Sequence, residues 1–148
     1  MKHAIVIPAH IEQELLAHFF QNHLEQGAFL FSRTDAQPDG IVVEAKSAYF
    51  VPPEGWEVQH ELYLEMRDAE RAKIMKMARD TNSGVVDCHS HPGAQGRVHF
   101  SPSDRTGITE FAAYAKWKLP GHPTPQWFGV KLLWMPFYGM VTSERPRS

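Results

Sequence analysis

The chain has 148 residues, 15 Lys and Arg against 17 Asp and Glu for a net charge of −2, 43% hydrophobic and 22% charged content, and one cysteine, Cys88. That balance suits one compact domain over 1–148 with a real core, and excludes the one-sign field that nucleic acid or an anionic membrane would require. A lone cysteine excludes an internal disulfide, and no apolar run nears the roughly 18 residues of a membrane helix.

Taken in chain order, the opening Met1–Pro8 is too briefly apolar for a signal peptide, so a reducing, cytoplasmic setting is expected. Within it Ala4–Ile7 reads as a strand closed by Pro8. Ile11 to Leu24 repeats its apolar groups (Ile11, Leu15, Leu16, Phe19, Phe20, Leu24) at a helical period. Gly27–Phe31 reads as a buried strand and Thr34–Gly40, holding Asp, Pro and Gly, as a turn. Ile41–Val51 is strand-like and ends at Pro52-Pro53. Glu61–Met66 alternates and predicts a strand. Asp68–Arg79 favours a helix, with Ile74, Met77 and Ala78 inward. Gly84–Cys88 predicts a strand, Ser90–Phe100 a loop, and Ser101 to about Lys118 a helix. Leu119–Gln126 has three prolines and reads as a loop. Trp127–Met135 and Phe137–Thr142 complete a final strand pair. About three helices among six or seven strands, without internal repeats, predict one α/β domain.

Chemistry gathers where the apolar run Val85-Val86 breaks into Asp87-Cys88-His89-Ser90-His91-Pro92-Gly93. Residues i and i+2 of a strand share a face, so His89 and His91 can aim both rings at one point. Catalytic zinc commonly takes three protein ligands and leaves a place for water. Asp104 is available as the third, thirteen positions on, across a loop with two glycines, Gly93 and Gly96. Ser101-Pro102-Ser103-Asp104 is equally an N-terminal capping pattern, with Ser101 at N-cap, Pro102 at N1 and Asp104 at N3. Both roles can hold together, because a capped helix start can still point a carboxylate at a metal.

Joined in order, His89-Ser90-His91-Pro92 and Ser101-x-x-Asp104 resemble the signature of the JAMM, or MPN-plus, metalloproteases. That family places a Glu upstream, in a Glu-x-Gly-x-Leu context entering a strand. The similar stretch here is Glu25-Gln26-Gly27-Ala28-Phe29-Leu30-Phe31, with Glu44 on the next strand as competitor. The nine-residue spacer from His91 to Ser101 is longer than is usual in eukaryotic members. Phe31-Ser32 stands where a glycine often closes the Glu strand. The resemblance implies a single-domain JAB/MPN-like, cytidine-deaminase-like α/β fold, a mixed β-sheet flanked by about three helices.

The resemblance also implies roles. His89, His91 and Asp104 would bind one Zn²⁺ per chain. Glu25 would move the proton from water to the departing amine, and Ser101 would donate a hydrogen bond to the oxyanion. The implied substrate is the C-terminal tail of a ubiquitin-like protein or its conjugate. Cleavage would follow the terminal glycine, in maturation or deconjugation, with E1-like and E2-like proteins of the same bacterial or antiphage operon as partners. Alternative readings are a JAB-type hydrolase acting on a sulfur-carrier protein or its cysteine adduct, and a non-catalytic MPN scaffold. A non-haem iron oxygenase would use a different ligand order. Asp87 is a weak candidate to orient a ligating ring, and Cys88 reads as a buried thiol on the opposite face. His99 and His122 read as loop residues, and Trp117, Trp127 and Trp134 as packing. Substrate contacts are expected from Val51–Glu57 and Pro120–Gln126.

Overall fold

The computed structural model describes residues 2–61, 63–91, 102, 106, 110, 111, 113, 114, 117, 128–133 and 142–144. Its elements are β1 (Lys2–Val6), α1 (Ala9–Phe19), β2 (Gly27–Gln37), β3 (Gly40–Phe50), a 3-10 turn (Pro53–Gly55), β4 (Trp56–Gln59), β5 (Leu64–Met66), α2 (Asp68–Asp80), β6 (Gly84–His91), β7 (Phe128–Leu133) and β8 (Thr142–Glu144). The described residues between 102 and 117 are helical.

Six strands form one sheet in the order β1-β3-β2-β6-β7-β8, and β4-β5 form a separate ribbon. The large sheet is mixed: β1 with β3 and β6 with β7 run parallel, while β3 with β2, β2 with β6 and β7 with β8 run antiparallel. The chain therefore belongs to the α/β class.

Strand alternation builds a core on each face. Ala28, Leu30, Val86 and Cys88 point one way and pack with Val43, Ala45 and the α1 residues Ile11, Leu15 and Phe19. Phe29, Phe31 and Val85 point the other way and pack with Ile74, Met75 and Ala78 of α2, with Trp56, and with Phe111 of the later helical segment. Phe29 and Phe111 stack with ring centroids 5.2 Å apart. The second face is the one that matters chemically, since His89 and His91 continue the alternation of Val85.

Several boundaries differ from those read off the sequence. The helix expected to reach Leu24 stops at Phe19, because Asn22 Oδ1 accepts from Leu24 N (2.9 Å) and Gln26 Nε2 (3.1 Å) and turns the chain aside. The turn expected over Thr34–Gly40 contracts to Pro38-Asp39. Its flanks remain paired, Gln37 opposite Gly40, in a tight hairpin. Strand β4 was not anticipated, β5 is limited to Leu64–Met66, and β6 runs on through His91 because Leu133 of β7 still pairs with it. On α2 Met75 joins Ile74 and Ala78 in the core, and Met77 packs half-buried against them. The last strand runs from Thr142 to Glu144, while 137–141 lie outside the described residues.

Gly27 opens β2 under the indole of Trp56. A Cβ there would lie 2.6 Å from Cη2 and 2.8 Å from Cζ2 of that ring, which is itself buried. No side chain fits without moving the indole. Gly27→Ala is therefore expected to lower unfolding free energy by about 1–3 kcal/mol, the usual cost of overpacking. Urea denaturation should show this as a lower midpoint at unchanged slope.

Candidate functional site

The site is assembled at the junction of β2 and β6. Gly27 stands opposite His89 in the antiparallel ladder, so the segment just before β2 lies beside the His-Ser-His end of β6. The imidazoles of His89 and His91 share one face, with ring centroids 5.1 Å apart and planes tilted by 41°. His89 is buried and His91 partly so. From the segment before β2, Glu25 enters with its side chain only 4% exposed and Oε1 at 3.7 Å from His91 Nε2.

The centroid spacing is compatible with two ligands of a single ion. With Zn–N near 2.1 Å, each ring centroid would sit roughly 3.2 Å from the metal, and two rings at the tetrahedral angle would be roughly 5.2 Å apart. Among the described residues no three His, Cys, Asp or Glu side chains form a group that could hold a metal ion. Asp104 and Ser101, expected as third ligand and oxyanion donor, lie outside the described residues.

Glu44, the competitor to Glu25, is remote from both imidazoles in the ladder. It sits on β3 opposite Val6 and Arg33, 40% exposed, and pairs with Lys46 at 2.8 Å. Asp87 is half-buried and, by alternation, on the same face as His89. Trp117, read as packing, is instead 70% exposed. It lies at the end of the described helical residues, its ring centroid 6.1 Å from that of the half-buried Tyr114, which packs on the core that Phe111 enters. Of the expected contact region Val51–Glu57, Val51, Gly55 and Trp56 are buried, while Pro53, Glu54 and Glu57 are exposed. His99, His122, Trp127, Trp134 and Pro120–Gln126 lie outside the described residues.

Four residues to which the sequence assigned no supporting role hold this junction. Trp56 covers the face above Gly27, directly across from His89. Ser90 and Gln59 bond the Glu25-Gln26 segment. His18 Nε2 donates to the Gly27 carbonyl at 3.0 Å, and Gln21 Nε2 donates to its Nδ1 at 3.3 Å, which selects the neutral ring protonated at Nε2. No local pattern shows these supporting roles, that of the motif residue Ser90 included, since each acts on a partner distant in the chain or on the backbone.

No known family model matches the chain, and no curated protein matches it significantly.

Two titrations follow from burial. Burial outweighs the bond to Gly27 and holds the His18 pKa below its ordinary value. An unfolded chain then binds more protons near and below pH 6.5. The stability His18 contributes is complete above that pH and is lost as pH falls toward the depressed folded value. Comparing urea midpoints at about pH 7.5 and about pH 5.5, wild type should lose more stability than His18→Gln, which cannot titrate. Cys88 is fully buried on the α1 face. Desolvation first, and the neighbouring Asp87 carboxylate second, push its thiol well above the ordinary range. Native protein should therefore resist an aromatic disulfide reagent near pH 8, and one thiol should react promptly once guanidinium unfolds the chain.

Proposed function

We propose that this protein is a zinc-dependent isopeptidase or peptidase of the JAMM type, cleaving after the C-terminal glycine of a ubiquitin-like modifier. One observation carries the reading. A buried carboxylate from the segment before β2 lies 3.7 Å from the second imidazole of a His-x-His pair whose rings are spaced for one ion. The motif His89-Ser90-His91-Pro92 with Ser101-x-x-Asp104 supports the rest.

In this proposal His89, His91 and Asp104 hold one zinc ion. The role of Asp104 rests on its place in the Ser101-x-x-Asp104 part of the motif. When bound, zinc would supply a water of lowered pKa and polarise the scissile carbonyl. Glu25 takes the proton of the attacking water and delivers it to the departing amine. Its burial shields that transfer from bulk water. Ser101 donates a hydrogen bond toward the developing oxyanion. The proposed setting is cytoplasmic, alongside E1-like and E2-like proteins. No helix among the described residues is long and apolar enough to cross a membrane.

The test is cleavage of a ubiquitin-like fusion that carries a fluorescent peptide past its terminal glycine. Zinc-loaded protein should release the peptide, a chelator should stop it, and added zinc should restore it. Glu25→Gln should lower kcat by about 10²–10⁴-fold with zinc content unchanged, whereas His91→Ala and Asp104→Ala should lose metal and activity together. Chelator-insensitive or absent cleavage, or full activity in Glu25→Gln, would overturn the reading.

A further inference from the structure

Glu25 belongs to no strand or helix, yet its backbone and that of Gln26 are held on every side. Glu25 N–H donates to the His60 carbonyl at 2.9 Å. The Glu25 carbonyl accepts from Gln59 Nε2 at 2.9 Å, and the same amide also donates to Gln26 Oε1 at 3.0 Å. Gln26 N–H donates to Ser90 Oγ at 2.9 Å, and Ser90 N–H returns to the Gln26 carbonyl at 3.0 Å. All four main-chain groups of the two residues are thus satisfied, two of them by the side chains of Gln59 and Ser90. Buried main-chain groups require such partners, but a regular ladder would supply them from backbone alone. Here one partner comes from the end of β4 and the other from between the two histidines.

We infer that Gln59 and Ser90 are positioning residues that clamp the backbone of Glu25 and so set its carboxylate against His91. The inference rests on the proposed hydrolase for its kinetic consequence, but the clamp itself is a property of the fold. Ser90 faces away from His89 and His91 by strand alternation, so it is not a ligand beside them. Gln59 reaches the carbonyl of Glu25 and not its carboxylate, so it takes no part in proton transfer. Their effect is geometric. They keep a short segment without secondary structure as rigid as the strand that carries the imidazoles.

Removing either bond while keeping volume should let Glu25 drift. A displacement of about 1 Å at a reacting group can cost on the order of 10²-fold in rate. In the full-length, zinc-loaded protein, Gln59→Met and Ser90→Ala should lower kcat on the fluorescent fusion by about 10–100-fold, with KM held within about twofold. Ser90→Thr retains the hydroxyl and should recover most of the rate. A second readout needs no activity: amide hydrogen exchange followed by NMR. The Gln26 amide should exchange at least about tenfold faster in Ser90→Ala, while amides in the centre of β6 keep wild-type protection. Wild-type kcat in Gln59→Met and Ser90→Ala, loss through KM alone, or unchanged Gln26 exchange in Ser90→Ala would overturn the clamp. Failure of wild type to cleave any fusion would instead overturn the proposed function, and exchange would still decide whether the clamp exists.

Discussion

The registration of β2 against β6 is the constraint on which the rest depends. Gly27 opposite His89 brings the Glu25-Gln26 segment to the end of the strand that holds both imidazoles. A slip of one residue would turn His89 and His91 toward α1 and bring Cys88 to the other face. Burial on both sides forbids it. Phe29, Phe31 and Val85 fit the core beneath α2, while Ala28, Leu30, Val86 and Cys88 fit the core beneath α1. A slipped β6 would carry Asp87, His89 and His91 into the apolar core beneath α1, where burying a carboxylate and two imidazoles is costly. The side-chain and main-chain bonds between Ser90 and Gln26 fix the same alignment at the strand end.

The two faces of the sheet divide the labour. The α1 face packs Ala28, Leu30 and Val86 against α1 and seals the thiol of Cys88. The opposite face is apolar at one end, where Phe29 meets Phe111, and polar at the other, where Glu25 approaches His91. Between these ends Trp56 fills the space above Gly27, so the side chain missing from the strand is replaced by a ring from the β4-β5 ribbon. The ribbon therefore does two things. It covers the sheet with Trp56, and through Gln59 and His60 it holds the segment that carries the carboxylate. Cover and site support are coupled because Trp56 and Gln59 come from the same four-residue strand and His60 follows it directly.

Much of this was legible locally. The shared face of His89 and His91, and the opposite one for Cys88, follow from the two-residue period of a strand. The helix expected over Asp68–Arg79 follows from its composition, and Met77, expected inward, packs half-buried on the core beside the more deeply buried Met75. Other features were hidden. Asp, Pro and Gly between Thr34 and Gly40 mark a turn, but nothing local shows that strand pairing continues to its two central residues. Asn22 ends α1 early by a side-chain bond, which apolar periodicity cannot register. Trp117 has the composition of a packing residue and is exposed.

By itself, the sequence determined which residues could meet: an i, i+2 pair of imidazoles, a single cysteine turned from them, and carboxylates within reach of a fold of this class. Local chemistry and the repeat of strand and helix suffice for that. Only the tertiary structure decided which carboxylate arrives. Glu25 comes to His91 because β2 lies next to β6 in the sheet, while Glu44 sits on β3, across β2 from β6, and bonds Lys46 in partial contact with solvent. It also chose Trp56, Gln59 and Ser90 as the parts that hold Glu25 in place. Those choices rest on contacts between segments far apart in the chain, and a short-range pattern contains no term for them.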